Sequence, residues 1–245
     1  MKVTCVIPAR LSSTRLPKKV LALLHGKPLL QWVVEAAKEI PLFSEIVVAT
    51  DHADVEALAQ DLDVPCYLTS PECISGTERL IELKQSGKVT ADIWVNWQGD
   101  EPFITQEMIG QLLQTAPDDF ISIWTLRKKI SDTRSIHSPD VVKVVCDEEG
   151  KALYFSRAPI PFPREGHSHF YKHIGLYAFT DEALYQISDL PPTALELSEK
   201  LEQLRFLGHG LPIRVHETFT DPLGINTPEE LAMASSLVAS SNQVR

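Results

Sequence analysis

The sequence has no apolar run long enough to cross a bilayer, which takes about 20 residues. Lys, Arg, Asp or Glu interrupts every candidate stretch, so membrane insertion is not expected. The opening, Met1-Lys2-Val3-Thr4-Cys5-Val6-Ile7-Pro8, lacks the long apolar centre and small-residue cleavage site of a secretory leader. It reads as a strand, and a cytoplasmic location is the expectation. Cysteine is scarce. Cys5, Cys66, Cys73 and Cys146 form no CxxC pair, and no His set stands near them at zinc spacing, which argues against structural zinc and dithiol chemistry. Reduced, largely buried thiols are expected. The glycines of a GxxxxGK[ST] loop are missing, so this is not a P-loop protein. No repeat, low-complexity tract or linker is visible. There is no basic stripe either, and a net charge of −10 repels nucleic acid in general.

What is present is an ordinary globular composition, 44% apolar and 23% charged, in a chain long enough for a full core. One local imbalance stands out. Residues 1–27 carry Lys2, Arg10, Arg15, Lys18, Lys19 and Lys27 and no Asp or Glu. A basic island on an acidic protein points to a small polyanion such as a nucleoside triphosphate.

Strand and helix patterns alternate. Lys2–Pro8 is a β-branched apolar run, and a polar loop follows to about Lys19. Pro28 opens a helix with Leu29, Trp32, Val33 and Ala36 on one face. Glu45–Ala49 reads as a strand, the stretch from Ala53 as a helix, the stretch after Gly76 as another, and Asp92–Trp97 as a third strand. A helix around Met108 and a strand at Phe120–Leu126 follow. This alternation predicts an α/β fold with a doubly wound, mainly parallel sheet. Ligands then gather beyond the carboxyl ends of the strands. The Arg10–Lys19 loop, Thr50-Asp51 and Gln98-Gly99-Asp100 are therefore expected at one edge. Val141–Val145, Ala152–Phe155 and Tyr171–Phe179 read as further strands, with the turn-rich Arg157–His169 between the last two. A helix at about Ala194–Leu207 and another from Pro228 complete the pattern. A single domain over 1–245 is expected, with approximately 130–180 as a small inserted subdomain that covers the site or mediates dimerisation.

The loop Ala9-Arg10-Leu11-Ser12-Ser13-Thr14-Arg15-Leu16-Pro17-Lys18-Lys19 holds cations and hydroxyls suited to a triphosphate. Arg grips phosphate oxygens bidentately, and Lys acts as a point charge as pyrophosphate leaves. In Gln98-Gly99-Asp100-Glu101-Pro102 a carboxylate can hold Mg²⁺ or simply close a turn, while Gly99 permits close backbone approach. Ser75-Gly76-Thr77-Glu78-Arg79 begins a helix, where Ser75 or Thr77 reads first as a cap. Arg157, Lys172 and His173 together form a candidate set for neutralising a carboxylate. Glu202-Gln203-Leu204-Arg205 lies on an amphipathic helix whose polar side faces solvent by default. Thr227-Pro228-Glu229-Glu230 has the form of a capped helix start, with Asn226 just ahead of it.

Taken in order, these motifs resemble one family, the CMP-Kdo synthetases (3-deoxy-manno-octulosonate cytidylyltransferases). The resemblance runs from about Val3 to Leu231. It is carried by Ile7-Pro8-Ala9-Arg10 with Ser13-Thr14-Arg15-Leu16-Pro17 and Lys19, by Val48-Ala49-Thr50-Asp51, and by Ser75–Arg79. Val95-Asn96 with Gln98–Pro102, Ala152-Leu153-Tyr154-Phe155-Ser156-Arg157 with Pro159-Ile160-Pro161, Lys172–Tyr177 and Leu201–Arg205 complete it. The resemblance implies the nucleotide-diphosphosugar transferase variant of the doubly wound sheet and a homodimer. It implies that Arg10, Ser13, Arg15 and Lys19 hold the triphosphate of CTP, and that Ser75, Gly76, Arg79 and Gln98 place the cytidine. Asp100 would bind Mg²⁺. Arg157, His173, Glu202 and Gln203 would receive the sugar acid Kdo. Arg10, Arg15, Lys19 and Asp100 are the implied catalytic set, and the product would feed lipopolysaccharide synthesis.

The chain departs from the family's pattern in places. Asn226 stands where the family carries Asp as a second metal ligand; Asn keeps a carbonyl oxygen and loses the charge. Asp221 lies close enough in sequence to compensate. Lys18 replaces Gly and Val20 replaces Pro, while Trp97 replaces a smaller residue and is expected in the core. Ser138-Pro139-Asp140 replaces Asn-Pro-Asn. The competing readings are a CMP-sialic acid or amino-Kdo cytidylyltransferase and a non-catalytic CTP-binding relative.

Overall fold

The structure is a computed structural model that describes residues 1–242 apart from Thr14, Pro117, His167 and Ser168. Thr14 of the opening motif and two residues of the Arg157–His169 stretch thus lie outside the described residues. In chain order the strands are β1 (Val3–Pro8), β2 (Leu23–Leu24), β3 (Lys27–Pro28), β4 (Glu45–Thr50), β5 (Cys66–Leu68), β6 (Ile93–Asn96), β7 (Ile123–Lys129), β8 (Lys143–Cys146), β9 (Ala152–Ser156), β10 (Tyr171–Thr180) and β11 (Arg214–Glu217). The helices are α1 (Leu29–Lys38), α2 (Ala53–Asp61), α3 (Gly76–Gln85), α4 (Gln106–Leu113), α5 (Thr133–His137), α6 (Asp181–Ser188), α7 (Ala194–Glu199), α8 (Gln203–Gly208) and α9 (Pro228–Asn242). Among the described residues no helix is long and apolar enough to cross a membrane.

The chain forms two compact units. The first comprises Met1–Gln106 and Pro222–Arg245, the second Glu107–Asp221. In the first, β1 pairs in parallel with both β4 and β6, and β4 pairs in parallel with β5. Every residue of β1 is buried, as a central strand covered on both faces requires. Leu29, Leu30, Val33, Val34 and Ala37 form the buried face of α1. Because the strands are parallel, their carboxyl ends share one edge. The Ala9 amide donates to Ala49 O at 2.8 Å and the Gly99 amide to Pro8 O at 3.1 Å, so the three expected segments do meet there. A Cβ at Gly99 would stand 3.2 Å from Pro8 O, which explains the glycine.

The C-terminal segment returns to this unit through an apolar cluster. Ile225, Ala234 and Val238 are buried with Leu24 and Leu29, and Leu16, Phe103 and Leu231 pack against them. The start of α9 is the capping box read from the sequence. Thr227 Oγ1 accepts from the Glu230 amide at 3.2 Å, and a Glu230 carboxylate oxygen accepts from the Thr227 amide at 3.0 Å. Trp97 is a core residue, 0% exposed, with its indole N–H donating to Glu101 O at 2.9 Å.

The second unit is mixed. β7 pairs in parallel with β11 and antiparallel with β10, and β8 pairs antiparallel with β9 and β10. Two expectations change here. The strand read at Phe120–Leu126 starts and ends later, with Phe120 fully exposed. The helix read at Ala194–Leu207 is two helices. Thr193 caps α7 with a complete capping box, and Lys200 ends it at φ 54, so Leu201 and Glu202 turn before α8. Apolar spacing alone did not separate them, because Leu197, Leu201 and Leu204 keep a helical period across the break.

Candidate active site

At the strand-end edge of the first unit, Arg10, Ser75, Gly76, Arg79 and Gln98 line one pocket together with Pro8. Arg10 is exposed on the loop after β1; Ser13 is half-buried and Arg15 exposed further along it. Ser75 caps α3, its hydroxyl accepting from the Glu78 amide at 3.1 Å. The cap reading from the sequence is therefore correct, and it also sets the first turn of α3 against the pocket. Gly76 has a steric reason. An added Cβ would lie 2.5 Å from Gln98 Nε2 and 2.9 Å from Asn96 Oδ1. The Gln98 amide in turn donates to Asn96 Oδ1 at 2.9 Å. Asn96 thus orients Gln98, a role the sequence reading missed although Asn96 lies in the same motif.

Arg79 is buried, and its charge is matched inside the unit. Its guanidinium meets Asp51 Oδ2 at 2.8 Å and also donates to the Thr69 hydroxyl. It joins α3 to the ends of β4 and β5. Asp51 also accepts from the Leu11 amide at 3.4 Å, so this carboxylate steadies the start of the basic loop.

Two residues beyond Gln98, Asp100 forms an ion pair with the Lys19 ammonium, both side chains being largely buried. Lys19 Nζ also donates to Asn226 Oδ1 at 2.9 Å. The Ile225 amide donates to Asp100 O at 3.1 Å, which brings Asn226 to this point. A carboxylate and a carbonyl oxygen therefore converge on one cation. Hard oxygen donors of this kind suit Mg²⁺, which keeps water and substrate phosphates for its other positions. Among the described residues no group of three or more His, Cys, Asp or Glu side chains gathers as a metal cage. Glu101, next in sequence, is half-buried, with Oε2 shielded from solvent; desolvation first, then the charge of Asp100, pushes its carboxyl up to about 8, with Lys19 opposing. Asp221 belongs to the second unit. It pairs with Lys172 and, at 3.9 Å, with Lys128.

The second unit holds the remaining candidates. His173 is half-buried on β10, its ring 5.0 Å from that of Phe155 and 5.3 Å from that of Tyr177, with Nε2 3.0 Å from Thr125 Oγ1. Burial pushes the imidazole down to about 3, so it is neutral at ordinary pH. Arg157 directs three nitrogens at backbone carbonyls: Nε to Glu199 O at 2.8 Å, Nη1 to Pro139 O at 2.9 Å and Nη2 to Lys200 O at 3.5 Å. The expected cationic trio is thereby corrected. Lys172 pairs with Asp221, which it shares with Lys128, and His173 carries no charge, while the Arg157 guanidinium makes its hydrogen bonds to backbone carbonyls. Gln203 is another correction: it is 6% exposed, a buried amide where the helix pattern predicts a solvated one. Glu202 is half-buried at the turn before α8; burial first, then the Glu202 charge, raises the Tyr177 phenol. All four cysteines are free, Cys5 buried and the others half-buried. Burial pushes the Cys66 thiol up to about 11 and the Cys73 thiol, also facing Glu82, to about 12, so neither is a nucleophile near neutral pH.

A parallel α/β unit with a basic loop, a helix start and a carboxylate at its strand-end edge defines the class of nucleotide-binding α/β enzymes. A family model described as cytidylyltransferase matches residues 4–214. The 3-deoxy-manno-octulosonate cytidylyltransferase of Pelobacter propionicus is 41% identical over 247 residues, 96% of each chain. That of Chlorobium luteolum is 43% identical, over 97% of this chain and 98% of the relative. A solved structure of CMP:2-keto-3-deoxy-manno-octonic acid synthetase complexed with CTP superposes with a TM-score of 0.93 at 39% identity, covering 98% of this chain and all of that one. A cytidylyltransferase from Leptospira borgpetersenii, 17% identical with a TM-score of 0.65, shares the fold. The chain belongs to the 3-deoxy-manno-octulosonate cytidylyltransferase family.

Proposed function

We propose that this chain activates 3-deoxy-manno-octulosonate with CTP, releasing pyrophosphate and forming CMP-Kdo. The observation that carries the reading is the pocket shared by Arg10, Ser75, Gly76, Arg79 and Gln98, in a chain that matches relatives of that activity along nearly its whole length. Ser75, Gly76 and Gln98 face the cytidine, with Arg79 holding their frame. Arg10, Ser13, Arg15 and Lys19 bind the triphosphate. The anomeric hydroxyl oxygen of the sugar bonds to the α-phosphorus of CTP as the bond to the pyrophosphate oxygen breaks; pyrophosphate leaves as the anion and the hydroxyl proton passes to solvent water. Alignment and neutralisation of developing charge do most of the work in such a transfer. Arg10, Arg15 and Lys19 supply that neutralisation at the departing oxygens.

Asp100 and the Asn226 carbonyl oxygen are the groups that would hold Mg²⁺, whose chemistry is to screen the triphosphate charge. On the sugar side, Arg157 attracts the carboxylate, neutral His173 and buried Gln203 offer hydrogen bonds, and Glu202 accepts from sugar hydroxyls. The same reading carries a homodimer, a cytoplasmic location and a product used for lipopolysaccharide.

Incubation with CTP and Kdo, amino-Kdo or sialic acid in turn, with products weighed by mass spectrometry, tests the acceptor. CMP-Kdo should dominate. CMP-sialic acid formed at an equal or higher rate would overturn the assignment, and CTP binding without any product would make the chain a non-catalytic relative.

A further inference from the structure

Lys143 opens β8 and is 0% exposed. A buried ammonium is costly unless each of its three donors is satisfied. Here each one is. Nζ donates to Ser138 O at 2.9 Å, Val141 O at 2.5 Å and Arg157 O at 2.6 Å. Two of these carbonyls belong to the 138–141 turn, and the third is the backbone of Arg157. Burial, then the charge of Arg157, pushes the Lys143 amine down from its ordinary value, while Glu199 opposes the change.

Arg157 grips the same turn from its other end, through Nη1 to Pro139 O at 2.9 Å. Its backbone amide donates to Glu199 Oε2 at 2.9 Å, and the other oxygen of that carboxylate accepts from Ser156 Oγ at 2.6 Å. A guanidinium has five N–H donors; three go to carbonyls, which leaves two without a hydrogen-bond partner among the described residues. The geometry therefore fixes both the backbone and the side chain of Arg157, and Lys143 is the buried cation that ties its carbonyl to the turn its side chain holds.

We propose that Lys143 is a positioning residue for the sugar-acid site: its buried ammonium locks the 138–141 turn and the Arg157 backbone, so that the free N–H donors of Arg157 point in one direction. Lys143 touches no substrate and acts through Arg157. The inference rests on the proposed role of Arg157 toward the sugar carboxylate.

Steady-state kinetics of the full chain, with Kdo and CTP varied separately, test it. Lys143→Met keeps the aliphatic stem and loses the donors. It should raise the KM for Kdo about tenfold, which corresponds to about 1.4 kcal/mol, and leave the KM for CTP within about twofold. The double variant with Arg157→Met should be no worse than Arg157→Met alone, as expected when one residue acts through the other. Pro139→Gly, on the exposed surface of the turn, loosens the same arrangement without touching the core and should raise the KM for Kdo severalfold even if Lys143→Met fails to fold. Equal rises in both KM values, additive losses in the double variant, or an unchanged KM for Kdo in Pro139→Gly would overturn the proposal. If Arg157→Met itself leaves the KM for Kdo unchanged, the reading of Arg157 fails and the role of Lys143 falls with it.

Discussion

The Arg79 guanidinium meets the Asp51 carboxylate at 2.8 Å, with the arginine side chain 2% and the aspartate 12% exposed. Such a pair does not have to stabilise the fold relative to apolar residues, but removing one partner strands the other charge. Arg79→Met should therefore cost roughly 3–5 kcal/mol of stability, read as a fall in the denaturant midpoint. It should also weaken CTP binding, because α3 and the Leu11 end of the basic loop lose their shared anchor. A variant as stable as the parent would show that the pair is not buried in solution.

Gly76 faces side chains rather than backbone. A methyl there would lie 2.5 Å from Gln98 Nε2 and 2.9 Å from Asn96 Oδ1, so both amides must shift. Asn96 is buried and has little room, so Gly76→Ala should lower the thermal midpoint and also raise the Kd for CTP about tenfold by pushing Gln98 out of place. Calorimetric titration with CTP reads the difference.

The metal requirement should respond to Asn226. Its carbonyl oxygen accepts from Lys19 Nζ at 2.9 Å but brings no charge to balance a dication. On the proposed function, Asn226→Asp lowers the Mg²⁺ concentration for half-maximal rate by about tenfold. An unchanged Mg²⁺ curve would mean that Asn226 is not part of the metal's surroundings.

Acid should destabilise the second unit through His216. The ring is 7% exposed; Nδ1 lies 2.6 Å from Gln114 Nε2, and Nε2 lies 3.1 Å from Thr115 Oγ1. The Gln114 amide nitrogen can only donate, so Nδ1 accepts and the ring is neutral. Burial first, then the charge of Arg214, pushes the imidazole from 6.5 to about 4. As pH falls below 6.5 the unfolded chain takes up a proton that the folded chain refuses until about 4. Stability contributed by this residue is therefore full above 6.5, declines through that window and is level below it. The loss is roughly 3 kcal/mol for a shift of this size. His216→Gln should reduce the dependence of the urea midpoint on pH between 4 and 6.5, and the slope that remains is that of His173, whose imidazole is pushed down to about 3.

What the sequence made legible is what local chemistry decides. The β1, β4 and β6 strands, the caps at Ser75 and Thr227 and the gathering of three strand-end segments all follow from periodicity, capping residues and the parallel-sheet rule. The break at Lys200 was hidden because the apolar period runs through it and the left-handed residue is not glycine. Lys18 likewise adopts φ 52 where the family pattern has Gly, a turn visible only through that comparison. The states of His173, Lys172 and Arg157 depend on Thr125, Asp221, Glu199 and Pro139, partners between 18 and 49 residues away. No local pattern names such partners. Lys143 reads in sequence as the polar member of an apolar strand, and only the fold places three carbonyls around it.

Pyrophosphate release from CTP, followed with Kdo present or absent and Mg²⁺ or a chelator added, separates catalysis from binding alone. Release should require both Kdo and Mg²⁺, and sialic acid in place of Kdo should not support it. Folded protein that binds CTP but releases no pyrophosphate with Kdo and Mg²⁺ would contradict the proposed function.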